Sequence, residues 1–161
     1  MCAPVDRDGE MTEGQAKLLR RSDVVAAARS WIGTPYHHQA STKGIGTDCL
    51  GLVRGIYREI YGFEAEQPPA YSADWAEALG TETLLEAASR HLCAKSREHA
   101  EPGDILVFRM HREARAKHLA VLTEAASIVH AVEGTGTCEV PLTGWWRRRI
   151  ARVFSFPDIQ S

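Results

Sequence analysis

The sequence lacks the features that would assign it at once to a nucleic-acid-binding, membrane or secreted class. Its 161 residues carry a formal net charge of −2, so no excess of positive charge favours nucleic acid or an anionic membrane. No apolar run reaches the roughly 20 residues that a membrane-spanning helix needs. The first residues, MCAPVDRDGEMTEGQAK, are polar and lack the apolar core of a secretory signal. We therefore expect synthesis in the cytoplasm without a signal peptide.

Cysteine is scarce, and its spacing excludes the common cysteine-based sites. The four cysteines, Cys2, Cys49, Cys93 and Cys138, are far apart and form no C-x-x-C pair. This spacing argues against a zinc knuckle or a redox dithiol. A disulfide framework is not expected in a protein made in the cytoplasm. We expect free thiols, exposed at Cys2 and mostly buried at Cys93 and Cys138.

The histidines do not predict a metal site. Adjacent histidines cannot easily chelate one ion, and no carboxylate or cysteine stands at ligand spacing from the histidines outside the strands. Those histidines are His37, His38, His91, His99 and His111. The first two lie in a predicted loop, which leaves a role at a substrate cleft open.

The hydrophobic period changes along the chain. Apolar residues at helical spacing predict helices over 22–32, with Ser22 or Asp23 as the N-cap, and over 49–61. The pattern over 74–92 predicts two short helices that meet at Gly80. After Pro102 and Gly103, short apolar or alternating runs predict strands at 105–108, 118–123, 128–132 and 150–156. Helices followed by strands indicate an α+β fold, with helices packed on one antiparallel sheet.

The chain is of a length that fits one domain with a sizeable core. Residues 1–21 are polar and show no sustained period, so we interpret them as an N-terminal extension. Residues 22–161 are expected to form a single domain.

The segment GTDCLGL, residues 46–52, places Cys49 where a helix is expected to begin. If Asp48 caps that helix, Cys49 lies beside free backbone N–H groups and the positive end of the helix dipole. Both favour a thiolate, so we expect the pKa of Cys49 to fall below the value of about 8.5 of a free thiol. The same N–H groups can hold an oxyanion.

A cysteine nucleophile needs a base and a group that orients the base. His118 begins one predicted strand, and His130 lies twelve positions further on, in the middle of the next. Residues at this even separation share a face of a hairpin only if the turn has an odd number of residues or a bulge intervenes. A half-buried structural histidine remains the alternative for each residue taken alone.

Together these residues resemble the NlpC/P60 family of cell-wall peptidases. GTPY at 33–36 is similar to the family's G-x-P-Y segment, and TDCLGLV at 47–53 to its D-C-S-G-L-V nucleophile motif. HLAVLTEAASIVHA at 118–131 is similar to its histidine hairpin, and PGD at 102–104 to the start of its first strand. The resemblance spans residues 22–157.

The resemblance also points to a subgroup of the family. YSADWAEALG and TLLEAASRHL, within 71–92, and the segment 133–157 are similar to small peptidases encoded with phage tails and gene transfer agents. It implies a papain-like NlpC/P60 fold, in which an N-terminal nucleophile helix packs on an antiparallel β-sheet. It further implies a cysteine endopeptidase that hydrolyses peptidoglycan stem peptides at the γ-D-glutamyl–diamino acid bond, without a metal or organic cofactor.

The resemblance assigns roles by position. Cys49 matches the nucleophile, His118 the base and His130 the residue that orients the base. Tyr36 matches a tyrosine that binds the substrate or the oxyanion. Asp48 matches an acid suited to a substrate amine, although a role as a plain N-cap is equally open.

The chain departs from the family pattern at Leu50, where the family has serine. The change removes a hydroxyl beside the nucleophile and leaves all three catalytic positions filled.

The implied partners are a peptidoglycan peptide and phage-like tail proteins, with no nucleic acid and no membrane insertion. Action is expected at the periplasmic cell wall, as part of a tail-like particle. The segment WWRRR at 145–149 is interpreted as a packed tryptophan beside a basic rim, or as a protein-docking surface. Two alternatives stay open: a papain-like amidase or acyltransferase acting on another substrate, and a non-catalytic structural (hub) subunit of a tail.

Overall fold

The computed structural model describes residues 18–68 and 82–161. Three predictions lie outside these ranges: the exposed thiol at Cys2, most of the N-terminal extension, and the first of the two short helices predicted within 74–92. The division of the chain at residue 21 stays a prediction.

The described residues contain four α-helices and eight β-strands. The helices are α1 (Arg21–Ser30), α2 (Cys49–Tyr61), α3 (Thr83–His91) and α4 (Gly144–Arg147). The strands are β1 (Ser41–Thr42), β2 (Gly46–Thr47), β3 (Cys93–Lys95), β4 (Ile105–Phe108), β5 (His118–Glu124), β6 (Ser127–Val132), β7 (Gly136–Pro141) and β8 (Ile150–Ser155). A single 3-10 turn spans Arg97–His99.

Six of the strands form one sheet in the order β3-β8-β4-β5-β6-β7, and every neighbouring pair is antiparallel. Strands β1 and β2 form a separate short hairpin. Helices α1 and α2 pack against the large sheet. The predicted α+β fold is confirmed.

The central strands of the sheet, β4, β5 and β6, are buried on both faces. One face meets the helices, and Ile56 of α2 packs there with Val107 and Leu119. The other face carries a second apolar cluster that includes Phe108 and Ile128, with Trp146 of α4 packed against it. Strand β4 is buried along its whole length, which explains why its sequence is continuously apolar.

Helix α2 has the predicted bounds. Asp48 occupies its N-cap, and Gly62 ends it in the left-handed conformation with φ of 81°. Helix α1 differs from the prediction, which had Ser22 or Asp23 as the cap. It begins at Arg21, because the Asp23 carboxylate accepts a hydrogen bond from the backbone N–H of Arg20, the N-cap, at 3.0 Å.

The sequence did not predict β3 and β7, the two edge strands, nor α4 and the β1–β2 hairpin. An edge strand has one neighbour instead of two, so its side chains need not be uniformly apolar. In β7 only the first two residues are buried.

The expectation of a free thiol at Cys93 is wrong, because this cysteine is disulfide-bonded. Cys49 and Cys138 are free, as predicted, and both are half-buried.

Candidate active site

The N-terminus of α2 is held by the Asp48 carboxylate. One oxygen accepts a hydrogen bond from the backbone N–H of Gly51 at 2.7 Å, and the other accepts from the backbone N–H of Gln39 at 2.8 Å. The side chain of Asp48 is buried. The predicted capping role is confirmed, and Cys49 is the first residue of the helix.

The sulfur of Cys49 lies against the strand that carries His118. Its thiol donates to the carbonyl oxygen of Lys117 at 3.7 Å. On the other side of His118, the backbone N–H of Leu119 is close enough to the sulfur to stabilise a negative charge there. The structure therefore places the cysteine against the backbone on both sides of this histidine.

The two predicted histidines contact each other directly. Nε2 of His118 lies 2.9 Å from Nδ1 of His130, with the rings nearly perpendicular at 73°. The contact depends on an irregularity in the hairpin. Leu122 pairs with Ile128, but Glu124 pairs with Ser127, so β5 contains one residue more than β6 between these pairs. This is the bulge that the even separation of the histidines required.

The hydrogen bond fixes which ring nitrogen can act as a base. A neutral imidazole has one N–H and one lone pair. If Nε2 of His118 donates to Nδ1 of His130, the lone pair of His118 is on Nδ1. The nitrogen opposite the histidine pair is then available to accept a proton.

The protonation states differ from the expectation of a thiolate. Burial raises the pKa of Cys49 to about 12, and the negative charge of Asp48 adds to this effect. Burial lowers the pKa of His118 to about 3, and the charge of His130 lowers it further. The expected fall of the Cys49 pKa is wrong, because burial outweighs the nearby backbone N–H groups. The resting pair is a neutral thiol and a neutral imidazole.

Tyr36 lies beside the cysteine. The backbone of residues 35–37 runs alongside Thr47, which accepts a hydrogen bond from the N–H of His37 at 3.1 Å. Burial raises the pKa of Tyr36 to about 12, and charges at Cys49, Asp48 and Glu133 add to this shift. The phenol therefore stays protonated and can donate a hydrogen bond near the sulfur.

The loop residues that follow Tyr36 lie near the same end of α2. His37 and His38 are exposed, and Nδ1 of His38 lies 3.9 Å from a carboxylate oxygen of Asp48. Leu50, at the position where the family has serine, is partly buried and packs against the core. The structure thus brings Tyr36, Asp48 and Cys49 together at one end of α2.

Trp146 is the residue that the sequence did not connect with the site. Its ring stacks on His118, with centroids 5.5 Å apart and an interplanar angle of 27°, and meets His130 edge-on at 5.3 Å. The WWRRR segment offered one signal, a tryptophan expected to be packed. Nothing in its spacing indicated that it packs on the histidine pair.

Among residues 18–68 and 82–161, no group of three or more histidine, cysteine, aspartate or glutamate side chains is placed to hold a metal ion. Within the same ranges, no helix has the length and apolar character required to cross a membrane.

Comparison with known proteins places these observations in a family. The NlpC/P60 family model matches residues 33–155. Over 117 residues the chain is 21% identical to tail tip assembly protein K of Escherichia phage N15, covering 70% of this chain and 46% of that protein. Over 137 residues it is 22% identical to the gamma-DL-glutamyl hydrolase of Bacillus subtilis strain 168, covering 84% and 29%. The chain spans less than half the length of both relatives.

Solved structures match the fold. The NlpC/p60 domain of the peptidoglycan hydrolase SagA superposes with a TM-score of 0.63 at 19% identity, covering 86% of this chain and all of that one. An NlpC/P60 protein from Bacillus cereus gives 0.61 at 20% identity, covering 84% and 40%. The peptidoglycan hydrolase RipB from Mycobacterium tuberculosis gives 0.57 at 16% identity, covering 88% and 65%. The predicted NlpC/P60 fold is confirmed.

Proposed function

This chain belongs to the NlpC/P60 family, and from that premise we propose that it is a cysteine peptidase that hydrolyses the stem peptides of bacterial peptidoglycan. One observation carries the proposal. The sulfur at the start of α2 lies against the backbone around His118, whose Nε2 is 2.9 Å from Nδ1 of His130. A thiol, a base and a group that orients the base are the parts that acyl transfer needs.

The first half of the reaction forms a thioester. As the sulfur of Cys49 attacks the peptide carbonyl carbon, Nδ1 of His118 takes the thiol proton. The backbone N–H of Cys49, in the first turn of α2, and the hydroxyl of Tyr36 donate to the oxygen that becomes negative. When the C–N bond breaks, His118 returns the proton to the leaving amine.

The second half releases the acyl group. His118 takes a proton from water as that water attacks the thioester, and the C–S bond then breaks. The sulfur recovers the proton, and the peptide leaves with a new carboxylate. Throughout, the hydrogen bond to His130 holds His118 in one tautomer and one orientation. No metal or organic cofactor takes part in this scheme.

The bond we propose is the one between D-glutamate, through its γ-carboxyl, and a diamino acid. The relative in Bacillus subtilis supports this choice, since it is named a gamma-DL-glutamyl hydrolase. In this proposal, Asp48 and Tyr36 lie on the substrate side of the sulfur.

We further propose that the protein works in a phage-like tail at the periplasmic cell wall, with tail proteins as partners. The relative from phage N15, named a tail tip assembly protein, supports the tail context. The association with gene transfer agents stays a prediction.

Digestion of purified Gram-negative peptidoglycan, with mass spectrometry of the released peptides, tests the proposal. We expect the wild-type protein to release fragments ending in D-glutamate and Cys49→Ser to release none. Cys138→Ser is the matched control, because Cys138 is also a free, half-buried cysteine. It lies on β7 directly opposite His130, so it tests whether losing a thiol beside the histidines is by itself enough to stop cleavage. This variant should digest the wall like the wild type.

Other outcomes separate the alternatives. Cleavage at a different bond, lost in Cys49→Ser, would keep the cysteine peptidase and overturn the γ-D-glutamyl specificity. Failure of wild-type protein with native circular dichroism to cleave any wall bond would contradict the peptidase. Turnover of another amide or acyl donor would then favour the amidase or acyltransferase, and its absence a structural tail subunit.

A further inference from the structure

One aromatic ring covers the histidine pair. Trp146 stacks on His118 at 27° and meets His130 edge-on, with both centroid distances between 5 and 6 Å. Phe108 of β4 packs edge-on against Trp146 at 4.9 Å and also contacts His118. The two imidazoles are therefore covered by apolar rings where α4 packs on the sheet.

The helix that carries Trp146 is fastened to the hairpin that carries the histidines. The backbone N–H of Leu142, just before α4, donates to the carbonyl of Ala126 at 2.8 Å. The guanidinium of Arg147 donates to the carbonyl of Ala125 at 3.0 Å. Ala125 and Ala126 form the turn between β5 and β6, so two hydrogen bonds join the segment of Trp146 to the hairpin of the histidines.

The neighbouring tryptophan makes different contacts. Trp145 is 44% exposed and lies under the guanidinium of Arg149, with the cation 3.7 Å from the ring centroid. It touches the edge of Trp146 at 4.8 Å. Among the described residues, Trp145 makes these two aromatic or cation–π contacts. Two adjacent tryptophans on one short helix thus differ in that Trp146 packs on the histidines.

We propose that Trp146 is a positioning residue for the histidine pair: its ring covers the hydrogen bond between His118 and His130, keeps water from competing for it, and holds the His118 ring in the orientation that directs Nδ1 away from His130. The effect on turnover rests on the proposed peptidase function. The effect on the histidine pair does not, because it can be measured without a substrate.

The physical reason is competition by water. A hydrogen bond between two neutral rings contributes little net stability when water can replace either partner. An apolar ring over the pair limits the access of water to both nitrogens. A protonated imidazole is also disfavoured there, because it is poorly solvated.

Few charged or titratable groups face the pair. From β7, the free thiol of Cys138 lies directly opposite His130. From α2 the thiol of Cys49 lies against the backbone around His118, with the buried carboxylate of Asp48 behind it. Each histidine faces the other, and the guanidinium of Arg149 is separated from them by the two tryptophan rings. Burial is the first cause of the lowered pKa of both histidines.

Three variants test the proposal, Trp146→Ala, Trp146→Phe and the matched control Trp145→Ala. The first measurement is the titration of the histidine rings by NMR in the full-length protein without substrate. In Trp146→Ala we expect the pKa of His118 to rise by about one unit or more as water reaches the ring. Trp146→Phe should restore much of the shift, and Trp145→Ala should leave it unchanged.

The second measurement is turnover of wall peptide. Trp146→Ala should lower kcat by about 10- to 100-fold with little change in KM, because the base is misplaced while the substrate surface is intact. Trp145→Ala should keep the wild-type kcat.

Two results would overturn the proposal. One is an unchanged His118 titration in a folded Trp146→Ala variant. The other is equal loss in Trp145→Ala and Trp146→Ala, which would indicate a general role of α4 in stability. If the wild type cleaves no wall peptide, the proposed function fails, and the NMR titration still decides whether Trp146 shields the pair.

Discussion

The two sides of the candidate site are held by different kinds of contact. On the cysteine side the contacts join residues that are close in sequence. The Asp48 carboxylate caps α2 through Gly51, and Tyr36 runs alongside Thr47. On the histidine side the contacts join residues far apart in sequence: His118 meets His130 across a bulged hairpin, and Trp146 of α4 contacts both. The first side follows from local capping chemistry, whereas the second exists only once the sheet has formed.

The segment before His118 shows the same dependence on distant residues. The carboxylate of Glu82, at the N-cap of α3, accepts a hydrogen bond from the backbone N–H of Ala116 at 3.1 Å. Its other oxygen pairs with Arg109, whose guanidinium also donates to the carbonyl of Ala114. One carboxylate thus secures both ends of the loop that leads into β5.

The largest effect is expected from removing the base. In His118→Gln we expect kcat for wall peptide to fall by about 10³-fold, because no group takes the thiol proton. His130→Asn keeps a side-chain hydrogen-bond acceptor and should lose much less, whereas His130→Leu should lose more than His130→Asn. Steady-state kinetics on purified stem peptide measures all three. Equal loss in the two His130 variants would mean that His130 does not act through its hydrogen bond.

The next effect concerns the cysteine side. A Cβ at position 51 would overlap the carbonyl oxygen of Ala40, so Gly51→Ala must displace the start of α2. We expect a loss of about 3 kcal/mol in the free energy of unfolding. Urea denaturation measures it, with the exposed helix substitution Ser89→Ala as control, expected within about 0.5 kcal/mol of wild type. Wild-type stability in Gly51→Ala would show that this close approach does not fix the helix start.

A smaller effect is expected from pH. The pKa of His118 is lowered by burial to about 3, so between about pH 6.5 and 3 the unfolded chain binds a proton that the folded chain does not. Stability should therefore fall as the pH drops through this window, by up to about 1.4 kcal/mol for each pH unit. Urea denaturation from pH 7.5 to 4.5 should give a steeper loss for wild type than for His118→Gln. Parallel curves would contradict the lowered pKa.

The smallest effect is expected at Asp48. Asp48→Asn keeps an oxygen that can accept from Gly51 but removes the charge that helps to raise the pKa of Cys49. The thiol should then react with iodoacetamide at a lower pH than in wild type, by a shift smaller than the one that burial causes. Alkylation rates between pH 7 and 11, followed by mass spectrometry of the Cys49 peptide, measure this shift. Asp48→Ala, which loses the cap, should in addition lose about 1 kcal/mol of stability. Identical alkylation profiles for wild type and Asp48→Asn would mean that the charge of Asp48 does not raise the pKa of Cys49.

Prediction from the sequence succeeded where one element contains its own signals. Helix α2 has its cap at Asp48, its apolar stripe and its terminating Gly62 within one stretch, and both of its bounds were predicted. Strand β4 is buried on both faces and reads as a continuous apolar run. The edge strand β7 and the four-residue α4 have no such signals, because their partners in the sheet and the core decide their conformation.

The protonation state of the cysteine could not be read from the sequence. A position at a helix N-terminus predicts a lowered thiol pKa, but the sulfur of Cys49 is pressed against β5 and lies next to the charge of Asp48. Burial depends on how closely α2 packs on the sheet, and no local pattern reports that distance.

The sequence by itself determined the class of fold, the helix that presents Cys49 and the identity of the two histidines, because capping, periodicity and spacing act over a few residues. Only the tertiary structure decided that a bulge turns His118 and His130 to the same face, that Trp146 covers them, and that the thiol rests in its neutral form. Each of these depends on contacts between segments far apart in the chain, whose distances are set by packing of the whole sheet.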